Sequence, residues 1–223
     1  MLSLTDQIGR NVSLERSAQR IVSIVPSQTE LLHYFGLESE TIGITKFCIH
    51  PNEWFVTKQR VGGTKNLNLD QIRALQPDLI LANKEENTKA EIEVLQKEFQ
   101  VYTSDINTVQ DSLRMIKDVG LLCDKEQLAV DLIDSIQEDF SEIKKAKGKV
   151  AYFIWKNPYM LVGKNNFIHS MLENIGLSNA VEANRYVELN LTEIKALNAD
   201  YVFLSTEPFL FKEADKAELE KQL

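Results

Sequence analysis

The chain has 223 residues, 43% of them hydrophobic and 26% charged, with a net charge of −8 from 25 basic and 33 acidic side chains. That length suffices for one large domain or two modest lobes with real cores, and the acidic balance repels phosphate backbones and anionic lipid surfaces, which excludes nucleic acid as a partner. Its two cysteines, Cys48 and Cys123, lie outside any CxxC pattern, so neither a zinc site nor a redox pair is signalled.

In chain order, MLSLTDQIGRNVSLERSAQR has no basic region followed by an apolar run, and no segment reaches the roughly 20 apolar residues of a membrane span. As written the chain is expected to remain in the cytoplasm; with a leader removed, the expectation becomes the periplasm or the cell surface. Arg20–Pro26 (RIVSIVP) reads as a buried strand. Ser27 and Glu30 have the spacing of a capping box that opens a helix over Gln28–Phe35, stopped by Gly36. TIGIT (Thr41–Thr45) reads as a second strand and KFCIHPNEW as an irregular loop. A helix over Leu69–Leu75, a strand over Asp78–Ala82 and a further strand over Val101–Thr103 complete an alternating order, which predicts a mostly parallel sheet.

From Thr108 to Lys147 there is no proline and a single glycine, Gly120. Leu128, Leu132, Ile136, Phe140 and Ile143 recur at steps of three or four, which predicts one face of a long amphipathic helix, with Leu132, Ile136 and Phe140 buried. Gly148 ends it, and KVAYFIW (Lys149–Trp155) starts a new strand.

One stretch occurs twice. NLNLDQIRALQPDLIL (Asn66–Leu81) and ELNLTEIKALNADYVF (Glu188–Phe203) share seven of sixteen positions, among them Asn68/Asn190, Ile72/Ile194 and Asp78/Asp200. Each copy is preceded by a helix end of the same form, LHYFGL and LENIGL. The chain therefore reads as α/β, with two similar Rossmann-like lobes, a long helix between them, and a ligand cleft where the lobes meet. The boundaries this predicts are an N-terminal lobe over 1–107, a connecting helical region over 108–147 and a C-terminal lobe over 148–223.

The order RIVSIVPSQTELLHYFGL, TIGITKFCIHP, RVGGTKNLNLDQIRALQPDLILA, long helix, FIWKNPYMLVGKNN…IGL resembles the substrate-binding proteins of ABC importers for iron siderophores, haem and cobalamin, over Asp6–Leu204. The resemblance implies a rigid helical backbone and a ligand held between the lobes. It also implies no chemistry on that ligand and no permanently bound cofactor. The implied partners are a small metal chelate and an ABC permease, and a monomer is expected. Carried over by position, the ligand contacts fall on Phe47, Thr64, Asn83 and the WKNPYM stretch, including Trp155 and Tyr159. The aromatic residues Phe47, Trp54, Trp155 and Tyr159 suit stacking on a large chelate, against the alternative of ordinary core packing.

The exported relatives dock on their permease through one glutamate per lobe. Here those positions are Asp70, one methylene shorter, and Thr192, uncharged but followed by Glu193. The chain also stops soon after Tyr201–Leu204, so the C-terminal lobe is expected to lack the family's last strand and helix. His33, His50 and His169 do not form a ligand set of metal-site spacing. An intracellular carrier on the same scaffold, without a permease, is the alternative function. An enzyme with Cys48 as nucleophile and His50 as base is a third, disfavoured because residues two apart in a loop seldom reach the required geometry.

Overall fold

The computed structural model describes all 223 residues. They divide into two compact units, Met1–Ile106 with Gln110–Ile136, and Asn107–Val109 with Gln137–Leu223.

Unit 1 opens with an antiparallel pair, β1 (Leu2–Thr5) and β2 (Asn11–Leu14). Its main sheet contains β3 (Ile21–Ser23), β4 (Thr41–Ile44), β5 (Gln59–Arg60), β8 (Leu79–Asn83) and β9 (Val101–Ser104), all parallel, in the order β5-β4-β3-β8-β9. Helices α1 (Pro26–Tyr34), α2 (Asn52–Thr57), α3 (Leu69–Leu75) and α4 (Lys89–Leu95) connect these strands, and a small hairpin, β6 (Gly62–Gly63) with β7 (Asn66–Leu67), precedes α3. The continuous apolar runs at β3 and β8 are what a strand covered on both faces requires. Val22, Ile24, Ile72, Ile80 and Leu95 form its core.

Two local readings change. The first helix starts two residues earlier, at Pro26, with Val25 at the N-cap and no side-chain cap; Ser27 lies inside it. Proline at the first helical position has no N–H to leave unsatisfied and its φ is already helical, so the Ser27–Glu30 capping box is not needed. The KFCIHPNEW segment is not wholly irregular, because Asn52–Thr57 form α2, a short helix that buries Trp54 to 1% exposure.

The stretch after β9 divides into two helices, α5 (Val109–Leu122) and α6 (Glu126–Glu142). Asp124, at φ 57, takes the left-handed conformation that ends α5. At Gly120 a Cβ would lie 2.5 Å from the Ala129 Cβ, so α5 and α6 pack backbone to backbone there. The apolar stripe expected to be buried on the long helix sits instead on a half-covered face: Leu132, Ile136 and Phe140 are half-buried, Ile143 is exposed, and Ala129 is the buried residue of α6. The buried stripe of this region belongs to α5, through Leu113, Ile116, Val119 and Leu122. The chain passes from unit 1 to unit 2 within α6, after Ile136.

Unit 2 is built on β10 (Lys149–Trp155), which pairs in parallel with β12 (Ser178–Asn179) and β14 (Tyr201–Leu204) and antiparallel with β11 (Met160–Val162); β11 in turn pairs antiparallel with β13 (Tyr186–Glu188). Helices α7 (Phe167–Asn174), α8 (Leu191–Ala196) and α9 (Glu213–Gln222) cover it. After Tyr201–Leu204, where the C-terminal lobe was expected to lack a further strand and helix, the chain folds into α9, whose Leu219 joins the core of Ala151, Phe153, Leu161, Val181 and Ile194.

The repeated sequence takes the same structure in each unit. Asn68 caps α3 by accepting the Gln71 N–H, and Asn190 caps α8 by accepting those of Thr192 and Glu193. Ile72 and Ile194 are both buried. Asp78 accepts from the backbone N–H of Gln19 (2.8 Å) and Arg20 (3.0 Å) at the start of β3, and Asp200 from that of Lys149 (2.7 Å) at the start of β10. The preceding helices end alike: the N–H groups of Gly36 and Leu37 donate to the carbonyls of His33 and Leu32, and those of Gly176 and Leu177 to Glu173 and Leu172. Both glycines have positive φ, +69° and +85°, as this helix stop demands.

Candidate functional site

In an open parallel sheet the loops at the carboxyl ends of the strands are where ligands bind. At that edge of unit 1, the Phe47 ring, 52% exposed, lies against Gly63, where a Cβ would come within 3.1 Å of the Phe47 Cε2. Thr64 follows, buried, and its carbonyl accepts from Asn87 Nδ2 at 3.0 Å. Asn87 Oδ1 in turn accepts the N–H of Asn83 at 2.8 Å. Phe47, Thr64 and Asn83 are therefore joined through Gly63 and Asn87. The Asn83 side chain is itself engaged, donating to Ser104 Oγ at 3.0 Å and accepting the N–H groups of Glu85 and Glu86. It shapes the turn after β8, while the Phe47 ring stays exposed.

In unit 2, Trp155 ends β10 beyond a register shift against β11 and remains 40% exposed. Bulges of this kind re-aim a side chain at a strand end. Tyr159, four residues on, turns inward: its ring meets Phe153 edge to face, centroids 5.6 Å apart, and joins the core. Burial, with the nearby Glu218 carboxylate adding to it, raises the Tyr159 phenol above its ordinary pKa. Lys156, between them, points toward α9 and bonds Asp215 Oδ1 and Glu218 Oε2, each at 2.7 Å. Those bonds raise the lysine above its ordinary range, and the bond from Lys156 holds Asp215 below its own.

The remaining sequence candidates sit elsewhere. Trp54 packs under His33, ring centroids 5.3 Å apart, and belongs to the core. Cys48 is fully buried, its Sγ within 3.1 Å of Thr29 Oγ1 and 3.2 Å of Thr45 Oγ1, while His50 is exposed, so no thiolate–imidazole pair forms. Cys123 is also a free thiol, and burial pushes its pKa up to about 12. Asp70 is 93% exposed and pairs with Arg73 at 2.9 Å. Glu193 is spent on its own helix, its Oε2 accepting the Asn190 N–H at 2.8 Å in a capping box. An apolar hollow of about 490 Å³ between β14 and α9, lined by Tyr152, Val202, Phe203 and Leu219 among others, includes none of these candidates.

Sequence reasoning passed over Asn87, which ties the unit 1 loops together, and Phe209, whose ring meets Trp155 at 5.5 Å. Asn87 carried a signal in its spacing, four residues after Asn83.

Each of the two α/β units carries one copy of the repeated stretch and presents an exposed aromatic ring, Phe47 or Trp155, at its carboxyl-end loops. The sequence profile of the family described as Periplasmic binding protein matches residues 21–223, and the chain belongs to that family. Among curated proteins it is 26% identical over 215 residues to the ABC transporter substrate-binding lipoprotein YvrC of Bacillus subtilis (strain 168), covering 90% of this chain and 68% of that one. It is 25% identical to the vitamin B12-binding protein of Vibrio parahaemolyticus, covering 84% and 70%. Among solved structures, a possible iron-binding periplasmic solute-binding protein from Staphylococcus epidermidis superposes with a TM-score of 0.80 at 22% identity, covering 93% and 84%, which shows a shared fold.

Proposed function

We propose that this chain binds a metal chelate, a ferric siderophore, haem or corrinoid, and delivers it unchanged to an ABC importer. The residues assigned to ligand contact are Phe47 and Thr64 in unit 1 and Trp155 in unit 2, with Asn83 and Tyr159 holding the loops that carry them. The observation that carries this reading is the family match over residues 21–223. It is supported by the exposed rings of Phe47 and Trp155 at carboxyl-end loops. Such rings supply large apolar contact at low entropic cost. The location that goes with this role is outside the cytoplasmic membrane, in keeping with a relative described as a lipoprotein; no helix of the chain is long and apolar enough to cross a membrane.

The test is a thermal-shift screen of the purified chain against cyanocobalamin, haemin and ferrichrome. A ligand that binds only the folded state at a hundred times its Kd stabilises it by about 2.7 kcal/mol. A clear rise in Tm with one of the three is expected; no rise with any of them refutes the proposal.

An intracellular carrier with no permease is the second reading. The observation favouring it is that Thr192 carries no charge and Glu193 is committed to capping, so α8 offers no acid equivalent to Asp70. Uptake by a reconstituted importer separates the two: loss of transport in Asp70→Lys, at unchanged chelate affinity, supports the importer, and no stimulation of transport by the wild-type chain supports the carrier.

A further inference from the structure

Phe209 lies in the segment between β14 and α9, where Leu210 is 60% exposed and Phe209 itself half-buried. Its ring is tilted 65° to that of Trp155 at a centroid distance of 5.5 Å, and it rests in turn on Phe211 at 4.8 Å and 67°. Phe211 meets Phe153, which is fully buried. A line of rings therefore runs from the core of unit 2 out to Trp155. Phe211 packs against that core, whereas Phe209 lies beyond it.

The segment is held at both ends. The Ser205 N–H continues the β14–β10 ladder by donating to the Phe153 carbonyl at 3.0 Å. Lys156 anchors the first turns of α9 through Asp215 and Glu218. Since β10 and β14 run parallel, Trp155 and the segment after β14 emerge at the same, carboxyl-end edge of the sheet. An aromatic corner that is rigid before a ligand arrives loses little entropy on binding.

We infer that Phe209 is a ligand-contacting residue, forming with Trp155 a corner that takes an apolar, uncharged ring or rim of the chelate. This rests on the function proposed above. The charge at this place agrees with it: the single positive charge of Lys156 faces the two negative charges of Asp215 and Glu218 and is spent on them. The adjoining cation is thus not offered to a ligand carboxylate.

The test titrates the full chain and its Phe209→Ala, Phe209→Leu and Phe209→Trp variants with cyanocobalamin, haemin and ferrichrome. The expected result, for whichever probe binds the wild type, is a Kd at least about tenfold weaker in Phe209→Ala, as for a buried aromatic contact at a binding hot spot. Phe209→Leu should stay weak although it keeps bulk, and Phe209→Trp should recover to within about threefold because it restores a ring. The visible absorption band of the bound probe should also move in Phe209→Ala, which a purely structural role would not cause. Unchanged affinity and an unchanged band in Phe209→Ala overturn the inference while leaving the proposed function in place. Equal loss in the alanine, leucine and tryptophan variants overturns it in favour of a packing role. A wild-type chain that binds none of the probes removes the inference together with the reading on which it rests.

Discussion

Asp78 and Asp200 do the same job in the two units, each carboxylate accepting backbone N–H groups at the start of the neighbouring parallel strand. A carboxylate is suited to this because it accepts from several donors at once, and hydrogen bonds to a charged group are about twice as strong as neutral ones. Replacing Asp78 with alanine leaves the Gln19 and Arg20 N–H groups to water and should lower stability by about 1–2 kcal/mol, discounted for partial exposure. Urea unfolding followed by far-UV circular dichroism measures this, and no shift in midpoint would show that the strand entrance does not need the clamp. These residues were legible in the sequence because repetition marked them. Phe209 was not, because an aromatic residue near a chain end gives no sign of whether its ring turns inward, as Phe211 does, or outward toward Trp155.

At the level of elements, the sequence reading worked where hydrophobic periodicity and a stop signal coincided. α3 occupies Leu69–Leu75 and β10 Lys149–Trp155, as their patterns predicted. It missed α2 because a six-residue helix shows less than two turns of pattern and exists chiefly to bury Trp54. It overstated the burial of α6 because periodicity reports which face is apolar and not how completely that face is covered. Phe140 is half-buried. Phe140→Ala should accordingly cost about 1–2 kcal/mol, below the range for a fully buried ring; a loss above about 3 kcal/mol in the same unfolding assay would show α6 to be more tightly packed than described.

α9 is tied to β10 by Lys156, and the pH dependence of that tie has a definite sign. The bond from Lys156, with the backbone N–H of Lys212, depresses Asp215, so its contribution is present above the ordinary aspartate pKa near 3.9 and lost as pH falls through the depressed value. The bonds to Asp215 and Glu218 raise Lys156, so its contribution is present below about pH 10 and lost only as pH rises through the raised value. Docking of α9 should be constant across the neutral range and loosen below about pH 4. The emission of Trp155, with Trp54→Phe to isolate it, reports this; an acid transition equally large in Lys156→Gln would show that the tie is not responsible.

For the whole molecule, the repeat made two α/β units legible, since equal stretches of this length fold alike when each supplies its own core. What the repeat left hidden was the asymmetry: unit 1 carries an all-parallel sheet, while β11 and β13 add antiparallel strands to unit 2. The central claim is that the chain binds a chelate through the exposed rings of Phe47 and Trp155. Isothermal titration of the wild type, Phe47→Ala and Trp155→Ala with cyanocobalamin, haemin and ferrichrome tests it directly. The prediction is one molecule bound per chain for at least one chelate, weakened by about 1–3 kcal/mol in each variant. Absence of binding by the wild type, or a bound chelate whose affinity neither substitution changes, would contradict it.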